Sequence, residues 1–593
     1  MADWLYWQYR LIGSSQKRLD VTYQSWLRIY DVPAPPRELQ RQPLISVVLP
    51  VYNTEERWLR RCIESVIGQR YDNWELCVCN DASTAPSVRR VLEEYQASEA
   101  RIRVIHREEN GHISAASNDA LSLARGDYVG LLDHDDELHP DALYEVVSHI
   151  NDHPEVGLIF TDEDKIDQYG LRYDPYFKPD WNPDLFLGHN CVSHFGVYRR
   201  DLIEQVGGFR VGMEGSQDWD LALRCSEALA AEQIAHIPRV LYHWRAIPGS
   251  TALAPGEKSY AHFAGLKAVN EHLQRKKAHA EAVEIEGRSG NYRVSYGLDV
   301  EPSVTVIIPT RDRVDLLKKC VDSILERTNY DNYSVLVVDN QSCEAATLEY
   351  LSALAERERV TVSRYNQEFN YSAINNFAVD MASCDVVTLM NNDMEVISRD
   401  WLKELVANAM RPDVGAVGAM LYYPDDTIQH AGVIMGVHGI AAHAYSGKPR
   451  GWAGQMNRGG LAQNYTAVTA ACLAVRRELF LEVGGLSEEL RVAFNDVDFC
   501  LKLRERGYWN VWLPWVELYH HESATRGYED TPEKRARFES EVSWMAGHWA
   551  KWISGDPAYN PNLSIDGEPF GLSFPPRYMR SALDTLQSTL ESS

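Results

Sequence analysis

Leu131-Leu132-Asp133-His134-Asp135-Asp136-Glu137-Leu138 is the stretch around which this chain organises itself. Gly126-Asp127-Tyr128-Val129-Gly130 precedes it and predicts a short buried strand arriving from a turn. Where the apolar run stops, three carboxylates crowd onto four positions. Like charges at that spacing raise one another's pKa unless a cation or hydrogen-bond donors hold them. Hard oxygen ligands at a strand end suit Mg2+ or Mn2+, leaving coordination sites for water and phosphate. The same residues in isolation also make an ordinary solvated acidic turn. What separates the two readings is that the chain writes the stretch twice.

The second copy is Thr388-Leu389-Met390-Asn391-Asn392-Asp393-Met394-Glu395-Val396. Ile45 to Asn53 returns as Val304 to Asp312, and Tyr71 to Asp81 as Tyr330 to Asn340. Position 309 stands against 50, 330 against 71 and 393 against 135, offsets of 259, 259 and 258. Matches in one order at a constant offset mark a tandem duplication of a domain of roughly 250 residues, a size one α/β domain can have.

With 45% of its 593 residues apolar, the chain can bury two full cores. Its 85 acidic against 59 basic residues give a formal charge of −26, which disfavours nucleic acid as a partner. The ten cysteines show no CxxC pair and no metal-finger spacing, the usage of a reducing cytosol. No signal-peptide pattern and no apolar run long enough to span a bilayer is present, so the expected location is cytoplasmic. Residues 1–40 form an aromatic arm in which Trp4, Trp7 and Ile12 lie near Arg10, Lys17 and Arg18. Such an arm either makes peripheral contact with the inner membrane or packs on the first domain.

Ser46 to Leu49 predicts a buried strand ended by Pro50, and Trp58, Leu59, Cys62, Ile63, Val66 and Ile67 predict a helix. Leu76 to Cys79 predicts the next strand, Val88 to Tyr95 a helix, Val104-Ile105 a short strand and Ala115 to Ala124 another helix. Alternation of this kind builds a mostly parallel sheet covered on both faces, with ligands beyond the carboxyl ends of the strands. Pro50-Val51-Tyr52-Asn53, Asn80-Asp81 and the acidic stretch all sit at those ends. The expected fold class is α/β: two tandem domains over 41–253 and 301–555, a link over 254–300 with a helix from Ala261 to Leu273, and a tail over 556–593.

Neither GxGxxG nor GxxxxGK[ST] follows the first strand, which argues against dinucleotide-binding and P-loop sites. The order Pro50-Val51-Tyr52-Asn53, Asn80-Asp81-Ala82-Ser83-Thr84, Gly126-Asp127-Tyr128 and Asp133-His134-Asp135-Asp136 resembles the family 2 glycosyltransferases of the GT-A fold, once in each repeat. The resemblance implies nucleotide-sugar donors (dTDP-, GDP- or UDP-linked), with Asp81 at the base or ribose and Pro50, Tyr52 and Asn53 beside it. It implies that Asp133 and chiefly Asp135 hold Mg2+ or Mn2+ on the diphosphate. It also implies a general base downstream. Asp218 and Asp220 open an apolar-periodic helix, where acids are commonly caps; Asp218 matches the base and Asp220 is left structural. His243 resembles a third group at the metal or diphosphate, Arg245 is suited to phosphate, and a lone histidine is as readily structural.

In the second repeat Pro309, Thr310 and Arg311 return the first loop, while Asp339 and Asn340 align with Asn80 and Asp81, so carboxylate and amide exchange places. Asn391 and Asn392 replace Asp133 and His134, leaving Asp393 to meet a cation that takes its other oxygens from phosphate and water. Asp496 matches Asp218; His520 matches His243 by motif and His521 by spacing, and both stay open. Thr161 to Lys165 and Trp181 to Asp184 either lie where this fold places acceptor contacts or form solvated turns. Phe369 to Asn376 resembles enzymes that transfer rhamnose or related deoxysugars. The expected function is a bifunctional, metal-dependent inverting hexosyltransferase, each repeat complete in itself, extending a surface polysaccharide such as O-antigen on a lipid-linked glycan acceptor. The alternative is one active domain beside a second that only binds glycan or sugar nucleotide.

Overall fold

The computed structural model describes residues 15–247, 259–521 and 531–579; Trp4, Trp7, Arg10 and Ile12 lie outside them, as do the side chains of Lys17 and Arg18. The first sheet is built from β1 (Ile45–Val51), β2 (Trp74–Asn80), β3 (Ile102–His106), β4 (Tyr128–Leu131), β5 (Glu137–Leu138), β6 (Leu158–Ile166), β7 (Arg172–Tyr176), β8 (Val197–Arg199) and β9 (Ile234–Arg245). Its order is β3-β2-β1-β4-β8-β6-β9-β5, with β7 on β6. The first four strands pair in parallel, as the alternation predicts. Every antiparallel pair involves a strand that follows the acidic stretch, so the sheet is mixed. Ile45, Val47, Leu49 and Val51 face one core and Val48 the other, which is why β1 reads as an unbroken apolar run. Helices Glu56–Ile67, Pro86–Ser98 and His112–Ser122 stand at the places the periodicity predicts.

The link contains a helix, Ser259–Arg275, and a hairpin of β10 (Ala280–Glu284) and β11 (Tyr292–Tyr296) that the sequence reading missed. The second half supplies β12 (Val304–Thr310), β13 (Tyr333–Asp339), β14 (Val360–Arg364), β15 (Val386–Met390), β16 (Met394–Val396) and β17 (Val414–Tyr422). It continues with β18 (Ile428–His430), β19 (Val433–Met435), β20 (Ala441–His443), β21 (Gln463–Tyr465), β22 (Cys472–Arg476) and β23 (Trp509–His520). The order β14-β13-β12-β15-β22-β17-β23-β16 repeats that of the first sheet strand for strand. The duplication seen in the motifs is therefore a duplication of topology.

Two expectations are corrected. Thr161 to Lys165 is neither a solvated turn nor an acceptor loop but the interior of β6, with Asp162, Glu163 and Asp164 at 2% exposure or less. Each acid is held by a partner remote in sequence: Asp162 by His236 (2.9 Å), Glu163 by Lys178 (3.1 Å), and Asp164 by Tyr23 and Arg172 (2.7 Å each). Only Lys165 of this segment reaches the cleft described below. Asn182 accepts from Leu185 N to cap a short helix and donates to Asn464 O (2.9 Å), and Asp184 pairs with Arg411 (2.5 Å). That segment joins the two halves instead of meeting an acceptor.

The described part of the N-terminal arm, the helix Ser15–Tyr30, packs on the first half: Tyr23 and Trp26 are buried beside Phe177, and Trp26 Nε1 donates to Ser573 O (3.1 Å). Ser573 belongs to the tail, which straps both halves. Asp556 accepts from Met435 N (2.7 Å), while Asn560 donates to Asp162 Oδ2 (2.9 Å) and Lys178 O (2.8 Å). Hydrogen bonds to a buried charge contribute roughly 1.5–3 kcal/mol, so Asn560→Ala should lower unfolding free energy by about that amount in urea denaturation. Among the described residues no helix is long and apolar enough to cross a membrane.

Candidate active sites

A cleft of about 920 Å3 opens beyond the carboxyl ends of β1, β2 and β4, lined by Pro50, Tyr52, Asp81, Asp133 and Asp218 among others. The fold thus gathers residues more than a hundred positions apart. Asp81 is buried, accepts from Gly111 N (2.8 Å) and faces Arg107 Nε (3.1 Å). Asn53 works one layer back. Its φ of 49° turns the loop, and its Oδ1 accepts from Thr84 N (2.9 Å) and Ala85 N (3.1 Å), tying the first two strand-end loops together.

Asp133, Asp136 and His194 offer ligand atoms that all lie within 4.8 Å of one another. Asp136 N donates to Asp133 O (3.2 Å), closing a turn that brings the first and fourth side chains together and sends Asp135 elsewhere. Asp135, expected as the chief ligand, approaches His134 at 3.6 Å and gives its carbonyl to Arg245 Nε (2.6 Å). Asp136 accepts from Tyr242 OH (2.6 Å) and Arg245 N (2.7 Å); burial, then Asp135 and Asp133, push its pKa well above the carboxylate range. His194 Nε2 stands 3.8 Å from Asp133 and its Nδ1 3.4 Å from Glu163. Burial pulls its pKa down, but Asp133 and Glu163 outweigh that and raise it well above the usual imidazole value.

His243 does not join this group. Side chains alternate along β9, and with Tyr242 on Asp136 and Trp244 in the cleft, His243 is directed to Asp164 (2.7 Å). Arg245 is equally internal: it pairs with Glu137 and lies over the Trp58 ring (4.3 Å), so it is not a free phosphate contact.

Asp218 sits in the first turn of the helix Gln217–Ser226 and accepts from Asn190 Nδ2 (2.8 Å). Burial pushes its pKa above the ordinary carboxylate value against the pull of His194. Asp220, fully buried, is held by Arg210 (3.0 Å) and Arg224 (2.7 Å), the structural place expected of it. Met456 and Asn457, from the second half, line the same cleft, so the first site is not complete within its own repeat.

In the second half His520 Nε2 is 3.1 Å from Asp393 and its Nδ1 2.7 Å from Gln429 Oε1. His521 turns to Glu395 (3.0 Å), which separates the two histidines the sequence left open. Asp496 Oδ2 accepts from Thr469 Oγ1 and Ala470 N (2.9 Å each). Asp339 is spent on its own turn, accepting from Ser342 N (2.9 Å). Asn340 gives its amide N–H groups to Tyr365 O (3.2 Å) and Gln367 O (2.9 Å), leaving Oδ1 buried without a partner among the described residues. An unpaired acceptor thus stands where the first half has the Asp81 carboxylate. Thr310 Oγ1 accepts from Asn392 (3.0 Å) and Arg311 is exposed at the place of Tyr52; Pro309, like Pro50, does not end its strand as the sequence predicts but is its penultimate residue.

The profile described as Glycosyl transferase family 2 matches residues 46–207 and 305–484, spans that contain both acidic stretches and both strand-end loops. The chain belongs to this family. The protein y4gI of Sinorhizobium fredii is 53% identical over 91% of this chain and 60% of its own length. The O-antigen biosynthesis protein RfbC of Myxococcus xanthus is 40% identical over 90% of this chain and 41% of its own. The chain therefore spans less than two thirds of either relative. A mannosyltransferase of Pyrobaculum calidifontis, solved with GDP-Man and Mn2+, overlaps at 20% identity over 44% of this chain and 68% of that one, with a TM-score of 0.33, too loose a match to bear on chemistry.

Within this family member the two halves differ in where the imidazole comes from. Tyr128 pairs with Arg199 and its counterpart Val386 with Arg476, so His194, five positions before Arg199, corresponds to Ala471. Glu137 pairs with His243 and its counterpart Glu395 with Tyr519, so His520 corresponds to Trp244. One half has His194 with Trp244; the other has Ala471 with His520. Motif matching could not find His194, because it assumes that equivalent groups occupy equivalent positions. A signal did exist: His194 has no counterpart histidine in the second repeat.

Proposed function

We propose that the chain is an inverting glycosyltransferase with a site in each half, using nucleotide-sugar donors and extending a lipid-linked surface glycan. The observation that carries this is the meeting of Asp81, Asp133 and Asp218 in one cleft, a nucleotide contact and a phosphate-end carboxylate from two strand ends and a base from a helix N-terminus. In the reaction the acceptor hydroxyl oxygen attacks the anomeric carbon, its proton passes to Asp218, and the bond to the diphosphate breaks with inversion. Asp133 and His194, and in the second half Asp393 and His520, are the residues that fit a divalent ion. When bound, the ion supplies charge to the leaving diphosphate, and a carboxylate with an imidazole suits Mn2+ better than Mg2+. A second reading, in which the second half only binds, draws on Asp496, whose Oδ2 is already taken by two protein donors. Deoxysugar transfer rests on resemblance alone. Asn370 caps its helix through Ala373 N, and Asn375 and Asn376 donate to Tyr371 O and Leu486 O. Membrane contact is assigned in this proposal to the arm before residue 15.

Screening UDP-, GDP- and dTDP-sugars for hydrolysis and transfer, with Mn2+ and then with excess EDTA, tests the reading; undiminished activity in EDTA would remove the metal from it. His194→Ala should weaken Mn2+ binding at one site by about tenfold or more, since even outer-shell partners act on that scale. His243→Ala should leave it unchanged. Titration of Mn2+ followed by electron paramagnetic resonance separates the two, and equal affinities in wild type and His194→Ala would reject the assignment.

A further inference from the structure

We propose that acceptor choice at the first site is set from outside its own sheet, with Met456 of the second half a specificity-determining contact for a pyranoside acceptor. The inference rests on the glycosyltransferase reading above and concerns the wall of the cleft beside Asp218. Ser216 Oγ donates to Ala261 O (2.8 Å), Trp219 stacks on Tyr292 with ring centroids 5.5 Å apart, and Tyr292 OH donates to His262 O (2.5 Å). The link helix and the β10–β11 hairpin are thereby fastened directly to the helix that carries the candidate base. The hairpin in turn receives the second half, because Asn457 is bonded to Asn291 and Arg288.

What this wall presents is Trp244, the half-exposed ring of Tyr260 and the Met456 side chain, while the amides of Asn190 and Asn457 are already bonded to Asp218 and to Asn291 and Arg288. Apolar and aromatic faces match the C–H faces of a sugar ring. The backbone adds a second observation. Met456 (φ 52°) and Asn457 (φ 61°) are consecutive non-glycine residues in the left-handed region. Asn457 uses its side chain for the bonds to Asn291 and Arg288; the Met456 side chain, kept against the same backbone strain, has its use in the cleft it lines.

The test uses the full chain carrying Asp496→Asn, so that the first site alone turns over, with UDP-, GDP- and dTDP-hexoses as donors and p-nitrophenyl glycosides of hexoses and 6-deoxyhexoses as acceptors. Met456→Gly should leave the unfolding temperature no lower and raise the acceptor KM by about tenfold, the scale of lost pocket contacts and a larger change than any in acceptor-independent hydrolysis. Met456→Trp should abolish transfer and reduce hydrolysis far less. Wild-type acceptor KM in both variants overturns the inference, and so does a parallel loss of hydrolysis and transfer. If the parent chain hydrolyses a nucleotide sugar but glycosylates none of the glycosides, this inference falls and the donor reading stands. If it hydrolyses none, the functional reading itself falls.

Discussion

Asp218→Asn should cut transfer at the first site by about 10²–10⁴-fold while leaving nucleotide-sugar affinity close to wild type. The exchange is isosteric and removes the proton acceptor. On the proposed reading donor affinity should survive, because that reading rests it on Asp81 and on the carboxylate and imidazole at the phosphate end. Asp496→Asn should remove a different step, and each variant should accumulate its own intermediate on the natural acceptor. The acid limb of the first site's rate should lie above the ordinary carboxylate range, because burial raises the Asp218 pKa and the base acts only when deprotonated. The same raised pKa works against folding at neutral pH, and that cost fades as pH falls through it. Asp218→Asn should therefore be at least as stable as wild type, and a lower unfolding temperature would signal misfolding. Wild-type transfer by Asp218→Asn would reject the base; wild-type product from Asp496→Asn would leave the second half a binding module.

Lys178→Ala should destabilise the protein by about 3–5 kcal/mol, the cost of leaving a buried charge without its partner. Lys178 has no exposure, and its Nζ donates to Glu163 Oε2 (3.1 Å), Val192 O (3.1 Å) and His194 O (2.6 Å). Burial alone would raise the Glu163 pKa, but Lys178 and then His194 hold it well below the usual carboxylate range. A carboxylate with a depressed folded pKa contributes stability above its unfolded pKa, near 4.3 for glutamate, and loses it as pH falls through the folded value. In Lys178→Ala burial is opposed by His194 without the lysine, and Glu163 binds a proton more readily. The deficit should be largest at neutral pH and narrow in acid, which urea denaturation at pH 7 and pH 5 would reveal. Because Lys178 also pins the segment from Val192 to His194, the first site should lose Mn2+ affinity in parallel. Lys178→Met with Glu163→Leu should recover stability without recovering Mn2+ affinity; recovery of both would show that the pair does not position His194.

Residue order alone was enough to establish a duplicated α/β architecture with a cleft at the strand ends of the first half. An apolar run buried on both faces, a helical period and a repeat offset are local or one-dimensional signals, and they survive without knowledge of contacts. It was also enough to place Asp81 and Asp133 together, because strand-end loops of such a sheet converge whatever their spacing; Asp218, on a helix, was tied to them only by the family resemblance. Tertiary structure decided the direction of each side chain. A single turn hydrogen bond from Asp136 to Asp133 selects which acids meet, and strand alternation takes His243 away from the cleft and leaves Trp244 in it. It also decided partners: the acids of β6 looked like a solvated turn until Tyr23, Lys178 and His236 arrived from other elements. The first cleft is closed by Met456 and Asn457, more than two hundred residues beyond the base. Such pairings carry no periodicity, so only the folded chain, where distance in sequence no longer measures distance in space, makes them visible.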